Sequence, residues 1–170
     1  MIILINLLVL NVLSSPNFLT PEPEELFYYE QSIVIDRPVN EVWEYLDDLN
    51  NCRDYLFFLK SVTKNPDGPN SIATKFIFQF CFLFKQYTNY YEMVEYKPPY
   101  TFTFKTTDKS AIQARGTVIL KGIDKTSTEL TIIYSPELSR FFSIFSDEQV
   151  DFIYNKTLAR VLIQVKKNVT

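Results

Sequence analysis

Histidine does not occur in this chain. Its absence removes the commonest general base and the commonest metal ligand, so neither a Ser-His-Asp nor a Cys-His arrangement is available. Cysteine is scarce as well. Cys52 and Cys81 are too few for a structural zinc site without histidine; one disulfide is possible on paper, but their separation carries no framework signature, and free buried thiols are the preferred reading. An excess of basic charge is also missing. With 17 Lys and Arg against 20 Asp and Glu, a net charge of −3 and a pI near 5.1, the chain lacks the clustered basic surface that nucleic acid requires. No metal and no cofactor is expected, and no residue is nominated as catalytic.

Apolar surface, by contrast, is plentiful. The 170 residues suit one domain, 46% are hydrophobic, and 15 Phe and 11 Tyr raise the aromatic share to 16%. Two accounts compete. Phe and Tyr favour strands, so a β-rich core explains them; equally, ligand pockets are lined by apolar and aromatic side chains.

Met1 to Leu13 is apolar except for Asn6 and Asn11. The run is shorter than the ~20 residues a bilayer crossing needs and fits the apolar part of a signal peptide over 1–15, with Ser14-Ser15 at the cut. Asn155-Lys156-Thr157 and Asn168-Val169-Thr170 are glycosylation acceptors in form. The expected destination is the secretory pathway; the alternative is a cytoplasmic protein with an apolar N-terminal helix. Secretion predicts a mature chain starting near Ser15. N-terminal sequencing of protein from its native source checks this, and an intact Met1 would reject it. Residues 16–25 are rich in proline and acids and read as a linker, leaving 26–166 as one domain.

That domain alternates strongly. Strand character over about Phe27 to Ile35 gives way at Pro38 to a helical stripe of Val39, Val42, Trp43 and Leu46, with Asp36 placed to cap the helix. A second, shorter helical piece covers Leu49 to Leu59. Strands are predicted from Ser61 and, after the turn cluster Pro66 to Asn70, over Ala73–Phe84, where Phe76, Phe78, Phe80, Phe82 and Phe84 share one face. Further strands follow over Tyr87–Tyr96, Tyr100–Thr107, Ala111–Ile123 and Thr128–Ser135. Their short connections favour antiparallel pairing. Val150, Ile153, Tyr154, Thr157, Leu158, Val161, Leu162 and Val165 then recur at helical spacing, preceded by a separate turn around Phe141 to Phe145.

The strand–proline–Val-Trp helix, the Leu46-Asp47-Asp48 helix end, the strand end Val94-Glu95-Tyr96-Lys97-Pro98-Pro99, and the hairpin of Ala114 to Val118 with Thr128 to Thr131 together resemble the START-like superfamily. This superfamily includes the major birch pollen allergen, polyketide cyclases and coenzyme-Q-binding proteins. The resemblance departs at Ala73-Thr74, where the family commonly has glycine, and at Thr126-Ser127, where it often has a Gly-Gly turn; the chain holds only three glycines. It implies an α+β helix-grip fold, in which a curved antiparallel sheet wraps a long C-terminal helix and two short helices follow strand one.

It also implies a container for a hydrophobic small molecule, such as a lipid, sterol, quinone, polyketide or pigment, with membrane contact no more than transient. The alternatives are a cyclase or dehydratase acting in the same cavity, and an interaction domain whose cavity is closed. Alternation defines faces without saying which is concave. On the apolar faces we nominate Phe76, Phe78, Phe80, Phe102, Phe104 and Tyr134 as ligand-binding, opposite Tyr154, Leu158 and Val161. Arg115, with Gln113, Thr117 and Lys121, is read as outward-facing, leaving Gly116, Val118 and Leu120 inward. Glu92 and Glu95 fall on opposite faces by alternation, so one at most points inward; exposed pairing with a lysine is preferred to a buried base. Asp48 is read as a loop organiser.

Overall fold

The computed structural model describes residues 27–65, 68–82, 85–137 and 146–169. The signal-peptide and linker segments, Phe84, and the turn around Phe141 to Phe145 lie outside these. β1 (Tyr29–Ile35) leads into α1 (Val39–Asp47); a 3-10 turn (Leu49–Asn51) and the one-turn α2 (Cys52–Tyr55) then carry the chain to β2 (Leu59–Asn65). From there β3 (Lys75–Phe82), β4 (Lys85–Lys97), β5 (Thr101–Thr106), β6 (Ala114–Gly122) and β7 (Thr128–Pro136) run as a meander, and α3 (Asp147–Val169) ends the domain. The sheet order is β1-β7-β6-β5-β4-β3-β2, antiparallel throughout. β1 and β2 are thus its two edges, and the helices between them carry the chain across. This is the α+β helix-grip fold expected.

Strand β1 and helix α3 are tied along their length. Tyr29 Oη donates to Asp151 Oδ1 at 2.8 Å, Gln31 Nε2 to the Asn155 carbonyl at 3.0 Å, and Lys166 Nζ to the Val34 carbonyl at 2.7 Å. Lys166 also takes Asp36, at 3.2 Å. That is a correction to the expected cap. Helix α1 starts one residue after Pro38, no side chain caps it, and Asp36 lies two residues ahead of the Pro38 cap position, where the Lys166 ammonium engages it instead.

The core lies where α1 and the C-terminal half of α3 meet the sheet. Ile35, Val42, Leu130 and Val165 are completely buried. Trp43 stands between Tyr96, with ring centroids 5.5 Å apart, and Phe102, at 5.7 Å edge-on. Beside it Asp47 closes the α1 end. Its carboxylate accepts from Tyr96 Oη at 3.1 Å and from Asn70 Nδ2 at 2.8 Å, pinning the turn before β3 to the helix. Asp48 organises the next loop as read from sequence: its Oδ1 accepts from the Asn50 amide at 2.9 Å.

Ala73 stands in a backbone conformation that favours glycine. Its φ is 68°, the left-handed region that costs a residue with a Cβ roughly 1–2 kcal/mol. The conformation is held by paired bonds to β4, Ala73 N to Met93 O at 2.8 Å and Met93 N to Thr74 O at 2.9 Å.

Candidate functional site

The sheet and α3 enclose a cavity of about 480 Å³, within the roughly 300–1,000 Å³ typical of small-molecule sites. All nine nominated residues line it. Phe76, Phe78 and Phe80 reach it from β3, Phe102 and Phe104 from β5, and Tyr134 from β7; Tyr154, Leu158 and Val161 face them from α3. The period of two in the strands and the period near 3.6 in the helix therefore meet across one space. Phe57 both lines the cavity and is 52% exposed, so it marks a place where the cavity meets solvent. The Arg160 guanidinium of α3 sits 4.0 Å from its ring centroid.

Two walls were not foreseen. The first is the inward face of β4, with Asn89, Tyr91 and Met93, each less than 9% exposed. The register Phe78↔Asn89 and Phe76↔Tyr91 puts them beside nominated phenylalanines, and residues paired across strands share a face. The break between the two strands is legible, but alternation within Tyr87–Tyr96 does not say which of its faces continues the phenylalanine face of β3; only the register does. The second wall is the 3-10 turn, α2 and the loop after it, which contribute Leu49, Tyr55 and Phe58.

Gly116 has a defined job. It pairs with Phe104 on one side and Tyr134 on the other, and the Phe104 ring lies across its backbone. A Cβ at this position would overlap Phe104 Cζ and stand 2.6 Å from Cε2. Only glycine lets that ring lie flat on the sheet, and the cavity keeps its depth there as a result. Phe104 then stacks edge-on against Tyr91 at 5.5 Å and Phe76 at 6.0 Å.

The charged candidates all sit outside. Arg115 is exposed, as read. Glu92 and Glu95 do not fall on opposite faces, because a bulge between Met93 and Glu95 resets the alternation and turns both outward. Glu92 lies in register with Lys75 and Lys105. Glu95 takes the Lys97 ammonium at 2.6 Å and the Thr103 hydroxyl at 3.2 Å, and these bonds hold its carboxyl below the usual range. Both cysteines are free, but Cys81 is exposed rather than buried. Cys52 is buried, with Sγ 3.0 Å from Tyr55 Oη, and burial pushes its thiol up to about 12.

Among the described residues, the lining contains no carboxylate, lysine or arginine. Its polar groups are tyrosine hydroxyls, Asn89, Thr157 and the two cysteines. Burial pushes the Tyr91 phenol up to about 12 and that of Tyr134 well above its ordinary value, so both are neutral hydrogen-bonding groups at physiological pH. Among the described residues, no group of acidic, cysteine or histidine side chains is arranged to hold a metal, and no helix is long and apolar enough to cross a membrane.

A seven-stranded antiparallel grip around one helix, with an apolar cavity between them, defines the START-like class. The chain belongs to the family described as polyketide cyclase / dehydrase and lipid transport, whose pattern matches residues 28–161. Solved structures with the same fold include the ZhuI aromatase/cyclase from Streptomyces sp. R1128, with a TM-score of 0.70 at 12% identity, covering 85% of this chain and 94% of that one. A conserved protein from Geobacillus kaustophilus superposes with a TM-score of 0.71 at 18% identity (84% and 95% covered). A START superfamily protein from Mycobacterium smegmatis gives 0.69 at 9% identity (84% and 96%). No curated protein matches by sequence. Family and fold together suggest hydrophobic-ligand binding or cyclase-type chemistry.

Proposed function

We propose that this protein binds a hydrophobic small molecule between its sheet and α3 without transforming it, the nine nominated residues supplying much of the contact surface. The observation that carries this reading is the lining itself. A cavity of about 480 Å³ walled by aromatic and aliphatic side chains offers a ligand a large apolar burial. Cyclisation or dehydration needs a positioned group that exchanges protons near neutral pH. Glu92, Glu95 and Arg115 face away from the cavity, and the tyrosines are held in their neutral form. A secretory destination is part of the same proposal, with N-terminal sequencing as its test.

Native mass spectrometry with solvent extraction reads the proposal directly: the protein is expected to release an apolar compound or, if purified empty, to bind diphenylhexatriene. Gly116→Ala sharpens the test. The added methyl drives the Phe104 ring off the sheet and into the cavity, so probe affinity is expected to fall severalfold, while overpacking costs about 1–3 kcal/mol of stability. Wild-type protein that carries nothing and binds no probe would reject the reading. Conversion of a co-purified compound on incubation with fresh protein would favour the cyclase-type alternative.

A further inference from the structure

The cavity is apolar but not uniformly so, and its polar atoms are concentrated. Asn89 is 2% exposed and both ends of its amide are engaged. Oδ1 accepts the Ile112 amide at 3.2 Å, and Nδ2 donates to Tyr91 Oη at 3.1 Å. Ile112 lies in the turn before β6, so this contact locks the carboxamide orientation. The consequence falls on Tyr91. Its oxygen accepts a hydrogen bond from Asn89, so its own hydroxyl hydrogen must point elsewhere, and that hydrogen is donated to no partner among the described residues. Tyr134 is in the same position: it lines the cavity and its hydroxyl has no partner among the described residues. Tyr134 packs on Tyr154, with ring centroids 5.7 Å apart, and both residues line the cavity together with Tyr91.

Enclosed hydroxyl donors without an acceptor are costly. Tyr91 and Tyr134 both line the cavity, where a guest meets them. A guest that is hydrocarbon throughout leaves them unsatisfied. An anionic guest finds no cation among the lining residues, and a donor-only guest such as an ammonium finds no carboxylate. A neutral oxygen acceptor fits both hydroxyls.

We infer that the ligand is a neutral, largely apolar molecule bearing a carbonyl-type oxygen, oriented by hydrogen bonds from the Tyr91 and Tyr134 hydroxyls, with Asn89 fixing the direction in which Tyr91 donates. This rests on the binding function proposed above and narrows it to ketone-, quinone- or ester-bearing guests. Tyr91 is the stronger determinant, because its donor direction is imposed; Tyr134 is free to turn.

A matched pair of probes separates this from simple hydrophobic capture. Benzanthrone is a four-ring ketone, and 7H-benzanthrene is the same skeleton with a methylene in place of the carbonyl. Tyr91→Phe is expected to weaken benzanthrone roughly five- to tenfold, the scale of one hydrogen bond, with benzanthrene affinity unchanged. Tyr134→Phe should give a smaller loss with the same selectivity. The carbonyl stretch of bound benzanthrone should lie below its position in alkane solvent and return toward it in the double variant. Benzanthrene binding shows in each variant that the cavity has formed. Equal effects on the two probes, or an unshifted carbonyl band in the wild type, would overturn the assignment while leaving hydrophobic binding intact. Failure of both probes to bind the wild type would overturn the assignment and the proposed function together.

Discussion

Trp43→Ala is expected to lower stability by about 3–5 kcal/mol, the range for removing a large buried aromatic side chain. Trp43 is 6% exposed and joins three elements at once. It leaves α1 and packs on Tyr96 of β4 and Phe102 of β5 at centroid distances of 5.5 and 5.7 Å. Those rings cannot collapse into the gap, since Tyr96 is held by Asp47 at 3.1 Å and Phe102 by its place in the sheet. Phe80→Ala is the contrasting substitution. Phe80 is half-buried, packs on Phe58 and Tyr87, and has the cavity on one side. It has fewer neighbours to lose, so its truncation should cost clearly less and change probe binding instead. Urea unfolding followed by circular dichroism measures both. Equal losses at the two positions, with probe binding unchanged at Phe80→Ala, would mean that the space beside Phe80 does not behave as a pocket.

The contrast between these two residues also shows what the sequence could reveal. Trp43 belongs to a helical stripe that opens at a proline, and such stripes survive any tertiary context because one face must be buried. The phenylalanines of β3 and β5 and the stripe of α3 were legible for the same reason, and the fold brings all nine nominated residues to one cavity. Asn89 and Tyr91 were not legible. Their place depends on the pairing of β3 with β4, which local composition does not mark. Asn89 in isolation is simply a polar residue in a strand; it becomes part of a site only because the turn at Ile112 consumes its carbonyl and Tyr91 its amide. The bulge between Met93 and Glu95 was hidden likewise, since it belongs to the pairing of β4 with β5. It reverses the expected face of one glutamate. Asp36 fails as a cap by position, since the cap residue is Pro38, two residues further on, and its carboxylate instead meets Lys166 from the far end of the chain at 3.2 Å.

Alkaline unfolding is the second large effect expected. The enclosed phenols are held in their protonated form by burial, Tyr91 up to about 12, and Tyr55 and Tyr134 well above the ordinary value of 10.0. Cys52 rises from 9.0 to about 12 for the same reason. These are groups whose folded pKa is raised. Their contribution is fully present below the unfolded value and is lost as pH climbs through the folded one, because the unfolded chain sheds protons that the native state retains. Each buried phenol therefore removes about 1.4 kcal/mol of stability per pH unit between roughly 10 and its folded pKa, and the thiol begins the decline near pH 9. Tyr91 and Cys52 alone remove a few kcal/mol, roughly, by pH 12, a large share of a typical total of about 5–15 kcal/mol. Without histidine, nothing comparable titrates between pH 6 and 8, so the thermal midpoint should be flat there and fall steeply from pH 10 to 12. Tyr91→Phe should make that fall shallower by about one phenol's share. Thermal unfolding across the pH series, with tyrosinate absorbance recorded in parallel, measures both terms. Native protein that ionises its full complement of tyrosines near pH 10 without loss of stability would show that these hydroxyls are open to water, and that the cavity they line is not a dry one.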